Sequence, residues 1–410
     1  MNKKNKNQKV FRQNDFIYNW GGYNLKKKNI TVFDTTLRDG LQCPHSKKQP
    51  TLKEKVDFIV SAYDVGIEAL EIGMPVTSET HKLEVIELAK FVAKNKLKLA
   101  LSCLARTTEA DIHAIADVSQ KSGFPITINF LIGSSKIRRL VEDWSLQDMA
   151  KWIIKSIQLA RKYNLNVEFV TEDTTRSDPK TLSYLYKTAI NENVKRVWIA
   201  DTVGEVTPNS ARKITRYFIN HIFQGKKIGL DWHGHDDKGL GVANALAALE
   251  AGADRVQATA LGVGERAGNT PMEPLLINLV LYANKKYNLK KLADYSLSAA
   301  KMFQIPIREN YPGIGKYVHA TAAGMHAAAI YKARKIGRRD LEGIVYAPFH
   351  ADIFNREVEI YIGPMSGKAN VLWNLNKLNI AIKEEKINKI LKYAKDQNKI
   401  ITHEEFKKLL

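Results

Sequence analysis

The chain has 410 residues, 44% of them hydrophobic, a formal net charge of +20, and two cysteines, Cys43 and Cys103. That length supports one large core plus a smaller appendage, and two cysteines exclude a disulfide framework and fit a reducing cytosol. No run approaches the roughly 20 apolar residues of a membrane span, the basic N-terminus lacks the apolar centre of a secretory signal, and no zinc-finger spacing, RNA-recognition motif or long basic helix marks a nucleic-acid binder. Residues 1–28 read as a basic polar arm. Strands are then expected at 30–33, 67–72, 98–104, 126–132, 166–170, 195–200, 228–232 and 255–260, from short β-branched runs. Helices are expected between and after them, at 52–65, 79–92, 110–120, 145–163, 179–190, 208–223, 238–251 and 271–282. Eight such units predict an α/β fold, a parallel (β/α)8 TIM barrel over 29–285. Beyond 285 the rhythm breaks, and 286–410 read as a mainly helical lid subdomain. It holds a connector at 310–316, a small-residue helical segment carrying His326, a glycine turn at 364–370, and Lys-rich helices over 376–410.

In such a barrel, function sits at the carboxyl ends of the strands. His233 and His235, two apart on an extended segment, point to the same side and can reach one cation. Either Asp34 or Asp39, after the first strand, could add a carboxylate; Asn269, closing Gly264-Glu-Arg-Ala-Gly-Asn269, could add a fourth oxygen. Mixed imidazole and oxygen ligands suit Mn²⁺, Zn²⁺ or Mg²⁺ with positions left open, not a closed structural zinc site. Arg38 beside such a cation would stabilise an enolate or alkoxide, or would simply pair with Asp34 or Glu71. Glu71 and Glu172 end strands, as structural or as catalytic carboxylates, and the hydroxyls of Thr202, Ser134 and Ser135 could hold a substrate carboxylate or cap helices. His45, His81, His113, His221, His350 and His403 read as ordinary packing or surface residues. The lysine clusters read as solvated faces, or as a field that draws in an anionic substrate. The 264–268 glycine spacing is not a dinucleotide fingerprint.

Phe33-Asp-Thr-Thr-Leu-Arg-Asp-Gly-Leu-Gln42, His233-Gly-His-Asp-Asp237 and Gly264-Glu-Arg-Ala-Gly-Asn269 together resemble one family over roughly 29–371. It is the aldolase-type barrel family of isopropylmalate, homocitrate and citramalate synthases and hydroxymethylglutaryl-CoA lyase. The resemblance implies Asp39, His233, His235 and Asn269 as metal ligands, and Arg38, Glu172 and His326 as catalytic residues. It further implies Glu71, Arg138 and Thr202 as substrate contacts. Ala323-Gly-Met-His326 is similar to the synthases' lid, whose histidine reaches the partner's active site in a homodimer; the lyases are not expected to carry it. The implied reaction is a cytoplasmic Claisen condensation of acetyl-CoA with a 2-oxo acid. Met74 and the GERAGN sequence favour 3-methyl-2-oxobutanoate, giving 2-isopropylmalate. Arg138 and Glu172-Asp-Thr-Thr-Arg-Ser177 look more like homocitrate synthases, which use 2-oxoglutarate; a citramalate synthase using pyruvate, or a lyase, are further alternatives. Choice of acid is expected to lie with Met74, Arg138, Val170 and Trp198. Only residues 369–410 follow the Ser366-Gly-Lys turn, so the leucine-sensing regulatory domain of some relatives is expected to be absent, and with it leucine feedback. A basic scaffold protein without catalysis is the remaining reading.

Overall fold

The computed structural model describes residues 18, 20, 25, 29–44, 48–283 and 285–410. Most of the arm read over 1–28 lies outside the described residues, as does His45. Eight parallel strands close a barrel in chain order. They are β1 (Thr31–Asp34), β2 (Ala69–Glu71), β3 (Ala100–Arg106), β4 (Ile126–Gly133), β5 (Asn166–Glu172), β6 (Arg196–Asp201), β7 (Gly229–Gly234) and β8 (Arg255–Ala258). Closure sets β1 against β8, from Thr31 opposite Arg255 to Asp34 opposite Ala258. The helices are α1 (Leu52–Val65), α2 (Glu79–Lys94), α3 (Glu109–Ser122), α4 (Lys136–Glu142), α5 (Leu146–Lys162), α6 (Pro179–Asn191), α7 (Pro208–Tyr217), α8 (Gly241–Ala251) and α9 (Met272–Ala283).

Local chemistry explains where these helices begin. Thr51, Ser78, Thr108, Ser135, Ser145, Asp178 and Thr207 each accept a hydrogen bond from a backbone N–H in the first turn that follows, satisfying a donor that the helix itself leaves unpaired. Thr51 and Glu54 form a reciprocal capping box at the start of α1. Thr51→Ala should lower stability by about 1 kcal/mol, read as a lower urea midpoint with an unchanged slope.

The structure departs from the expected elements in three places. The seven residues of α4 form an extra helix whose Ile137, Leu140 and Val141 are exposed, so no buried apolar stripe advertised it. The helix expected over 208–223 is regular only to Tyr217; a wider turn, Phe218–Ile222, then places Phe218 and Ile222 in the core. A tenth helix, α10 (Leu292–Phe303), packs on α1, with the Phe58 and Tyr295 rings 5.2 Å apart. The barrel unit therefore runs on to Ile307 rather than stopping at 285. No strand precedes α10, so the strand–helix rhythm gave no reason to include it.

The second unit takes in residues 308–410. A short parallel pair, β9 (Ala320–Thr321) and β10 (Glu359–Ile360), lies with α11 (Gly324–Lys335), α12 (Arg339–Glu342), α13 (Lys368–Lys377), α14 (Glu384–Asp396) and α15 (His403–Lys408). Ile330, Ile360 and Trp373 share one buried cluster, while Val371, Leu375, Ile387, Ile390 and Phe406 share another. Among the described residues no helix is long and apolar enough to cross a membrane.

Candidate metal centre at the barrel mouth

Immediately after β1 the chain turns tightly, with the backbone N–H groups of Arg38 and Asp39 both donating to the Thr35 carbonyl at 3.1 and 2.8 Å. This turn separates the two aspartates that the sequence left as rivals. Asp34 is spent on structure: its carboxylate accepts from the Thr36 N–H at 2.7 Å and from the Tyr295 hydroxyl at 2.6 Å. Burial pushes the Asp34 carboxyl up to about 6. Asp39 instead faces β7, where its Oδ2 lies 3.2 Å from His233 Nε2 and 3.9 Å from His235 Nε2. One donor atom from each of the three residues lies within 4.8 Å of the other two, and all three side chains are buried.

Charge at this spot is tightly controlled. Burial works to raise the Asp39 carboxyl, but the Arg38 guanidinium and then the two imidazoles hold it well below the usual carboxylate range. Burial pushes the His235 imidazole down to about 4, against the pull of Asp39. An ionised carboxylate beside a neutral imidazole is the protonation state that a cation requires of its ligands. Two nitrogens and one oxygen leave coordination positions open, and so the residues fit a divalent ion.

The loop after β8 completes the enclosure. His235 and Asn269 form an isolated antiparallel bridge, and the Thr270 N–H donates to the Gly234 carbonyl at 2.9 Å. Gly264 leaves the space that the Asn269 amide fills, and Gly268, at φ +91°, lies so close to the Gly262 carbonyl that a Cβ would collide with it. Asn269 Nδ2 donates to Asp39 Oδ2 at 2.6 Å, while its buried Oδ1 has no hydrogen-bond partner among the described residues. Offering that oxygen to a cation requires a half-turn of the amide, which swaps the two atoms.

Arg38 is only 10% exposed and pairs with Asp39 at 3.1 Å and Glu71 at 2.5 Å. Glu71 is fully buried and also accepts from Asn129 Nδ2, which contacts Ser102 as well. Of the two pairings expected for Arg38, the one with Asp34 does not form. Glu172, about one-third exposed, pairs with Arg138 at 3.1 Å, and Arg138 reaches Glu142 on its other side at 2.9 Å. Burial raises the Glu172 carboxyl although Arg138 opposes it. Thr202 accepts from the Asp173 N–H at 2.8 Å, which leaves its own hydroxyl proton free to donate. Ser134 and Ser135 are buried, Ser135 as the α4 cap. His326 belongs to the 308–410 unit, where its ring stacks on Tyr346 at 3.9 Å.

Two of the residues expected to choose the acid lie in the packed interior. Trp198 and Val170 share a buried cluster with Phe33, Ala69 and Ala200. Trp198 donates to Glu168 at 2.7 Å and is level with Asp231, two residues before His233 on β7. It forms part of the barrel floor below the centre, because inward-facing residues stack in layers.

Comparison with known proteins gives the family. The HMGL-like family model matches residues 29–298. The chain belongs to the HMGL-like family. Among curated members, a 2-isopropylmalate synthase of Methylacidiphilum infernorum is 30% identical over 92% of this chain and 74% of its own. A homocitrate synthase AksA of Methanothermobacter thermautotrophicus is 29% identical over 93% of each chain. An HMG-CoA lyase structure from Bacillus subtilis superposes with a TM-score of 0.58 at 17% identity, over 69% of this chain and 96% of that one. The HMGL-like barrel shared with that lyase is the fold described above.

Several residues of the site escaped the sequence reading. Gln257 Oε1 lies 3.0 Å from His233 Nδ1, and Gln257 Nε2 donates to Asp231 at 2.9 Å. The available signal was register. Asp231 pairs opposite Arg255, so His233 comes level with Gln257, the lone amide on β8. Tyr295 and Asn129 carried no comparable signal, since each is defined by a partner distant in sequence.

Proposed function

We propose that the protein is a divalent-metal-dependent acyltransferase condensing acetyl-CoA with a 2-oxo acid, with 3-methyl-2-oxobutanoate as the acceptor and 2-isopropylmalate and CoA as products. The observation that carries this reading is the buried Asp39–His233–His235 cluster with Arg38 against it. Membership in a family that includes curated 2-isopropylmalate and homocitrate synthases supports the reaction class. Asp39, His233 and His235 would hold a divalent ion, which would supply Lewis acidity to the bound acid. Within the proposal, the Thr202 hydroxyl donates to the substrate carboxylate, and Glu71 keeps Arg38 oriented. Arg38 stabilises negative charge as the keto oxygen becomes an alkoxide. The acetyl methyl proton passes to a base, a role assigned to His326 from the second copy of a homodimer, with Glu172 assisting. The methyl carbon bonds to the keto carbon, the alkoxide takes up the proton the base removed, and water then cleaves the thioester, leaving its oxygen on the new carboxylate and releasing CoA as a thiol.

Arg138 bears on the acid. Its guanidinium already pairs with the carboxylates of Glu172 and Glu142, so its charge is matched without a second carboxylate on the acceptor. This favours an apolar acceptor over 2-oxoglutarate. Thiol release from acetyl-CoA, assayed against 3-methyl-2-oxobutanoate, pyruvate and 2-oxoglutarate with Mn²⁺ and after chelation, tests the reading. Release is expected with the first acid and only with metal. Silence with all three acids would refute the synthase, and preference for 2-oxoglutarate would make it a homocitrate synthase.

A further inference from the structure

Behind the centre lies a chain of buried polar groups whose directions are dictated by chemistry. Arg196 Nη1 donates to Asp231 Oδ1 at 2.7 Å and Arg255 Nε donates to Asp231 Oδ2 at 2.5 Å; a guanidinium only donates. Asp231 is therefore held as an acceptor, fully buried. The Gln257 group facing it at 2.9 Å must be the amide NH₂, which leaves Oε1 toward His233 Nδ1 at 3.0 Å. An amide oxygen only accepts, so Nδ1 must carry the proton. The lone pair of a neutral His233 is then on Nε2, the atom facing Asp39. His235 has no such support, for its buried Nδ1 lacks a hydrogen-bond partner among the described residues.

We propose that Gln257 is a positioning residue which, anchored by Asp231, fixes the tautomer and ring orientation of His233 and thereby sets affinity for the divalent ion. The inference rests on the metal reading above. Hydrogen bonds behind a ligating imidazole contribute about 10- to 100-fold in metal affinity. A uniformly buried polar filler at position 257 would contribute to folding but not selectively to metal binding.

The test titrates the full-length protein with Mn²⁺ alone and follows the free ion by electron paramagnetic resonance. Gln257→Met keeps the side-chain length and removes the acceptor, and should weaken binding by about 10- to 100-fold. Gln257→Glu should retain affinity close to the parent's. In either protonation state the new carboxyl keeps an oxygen that accepts from Nδ1–H at the position Gln257 Oε1 now holds. Melting of the metal-free proteins monitors folding; if the Met variant does not fold, Gln257→Leu replaces it and is read the same way. A folded Met or Leu variant that binds Mn²⁺ as tightly as the parent would overturn the inference, as would equal weakening in the Glu variant. A parent that binds no Mn²⁺ would instead overturn the metal reading, and this inference with it.

Discussion

His233→Ala and His235→Ala should each abolish saturable Mn²⁺ binding and lower the condensation rate by roughly 10³-fold or more. A Lewis acid at the reacting oxygens is worth several kcal/mol, and each 1.36 kcal/mol is tenfold in rate. Removing either imidazole takes away one of the two nitrogen ligands of the proposed centre. The loss should also appear without turnover. A ligand that binds only the folded state raises the melting temperature, so Mn²⁺ should stabilise the parent and leave both variants unchanged. Variants that keep the Mn²⁺-induced shift, or that keep activity, would refute the proposed centre and leave the scaffold reading standing.

Arg38→Met should act on rate and stability together, and the two can be separated. Losing a donor aimed at a developing oxyanion costs about 10²- to 10³-fold in kcat. Glu71, fully buried, would meanwhile keep its Asn129 bond and lose its only ion-pair partner among the described residues. Breaking a buried pair from one side costs about 3–5 kcal/mol. Adding Glu71→Gln removes one of the two stranded charges, Asp39 being the other, and should recover part of the stability in urea titrations. It should recover none of the rate. If activity returned along with stability, Arg38 would be a structural cation and the oxyanion role would fall.

Much of this molecule was legible from its sequence because barrel strands announce themselves locally. Short β-branched runs, Thr, Ser and Asp helix caps, and the two-residue period of His233 and His235 depend only on near neighbours. The choice between Asp34 and Asp39 did not. It turns on Tyr295, which occupies Asp34 from 261 residues away in a helix with no strand before it. The depth of Trp198 was hidden for a related reason: periodicity gives the face of a strand but not the depth of a residue along the barrel axis. Gln257 lay between these cases. Its face and level followed from pairing β7 with β8, but its proposed role required Asp231, which accepts from two arginines of neighbouring strands.

Closure of β1 on β8 has a consequence for how the molecule comes into being. Asp39 and Asn269 touch across 230 residues of chain, and β1 forms the larger part of its sheet pairing with a strand made long afterwards. At synthesis rates of about 5–20 residues per second, the first strand waits on the order of 10 to 50 s for its last neighbour. Until then Val32 and Phe33 have only β2 beside them, and the unpaired edge is open to other chains. Contacts this distant in sequence also slow refolding. Metal added to refolding protein should therefore bind late, after the rest of the sheet has formed, so its uptake reports barrel closure itself.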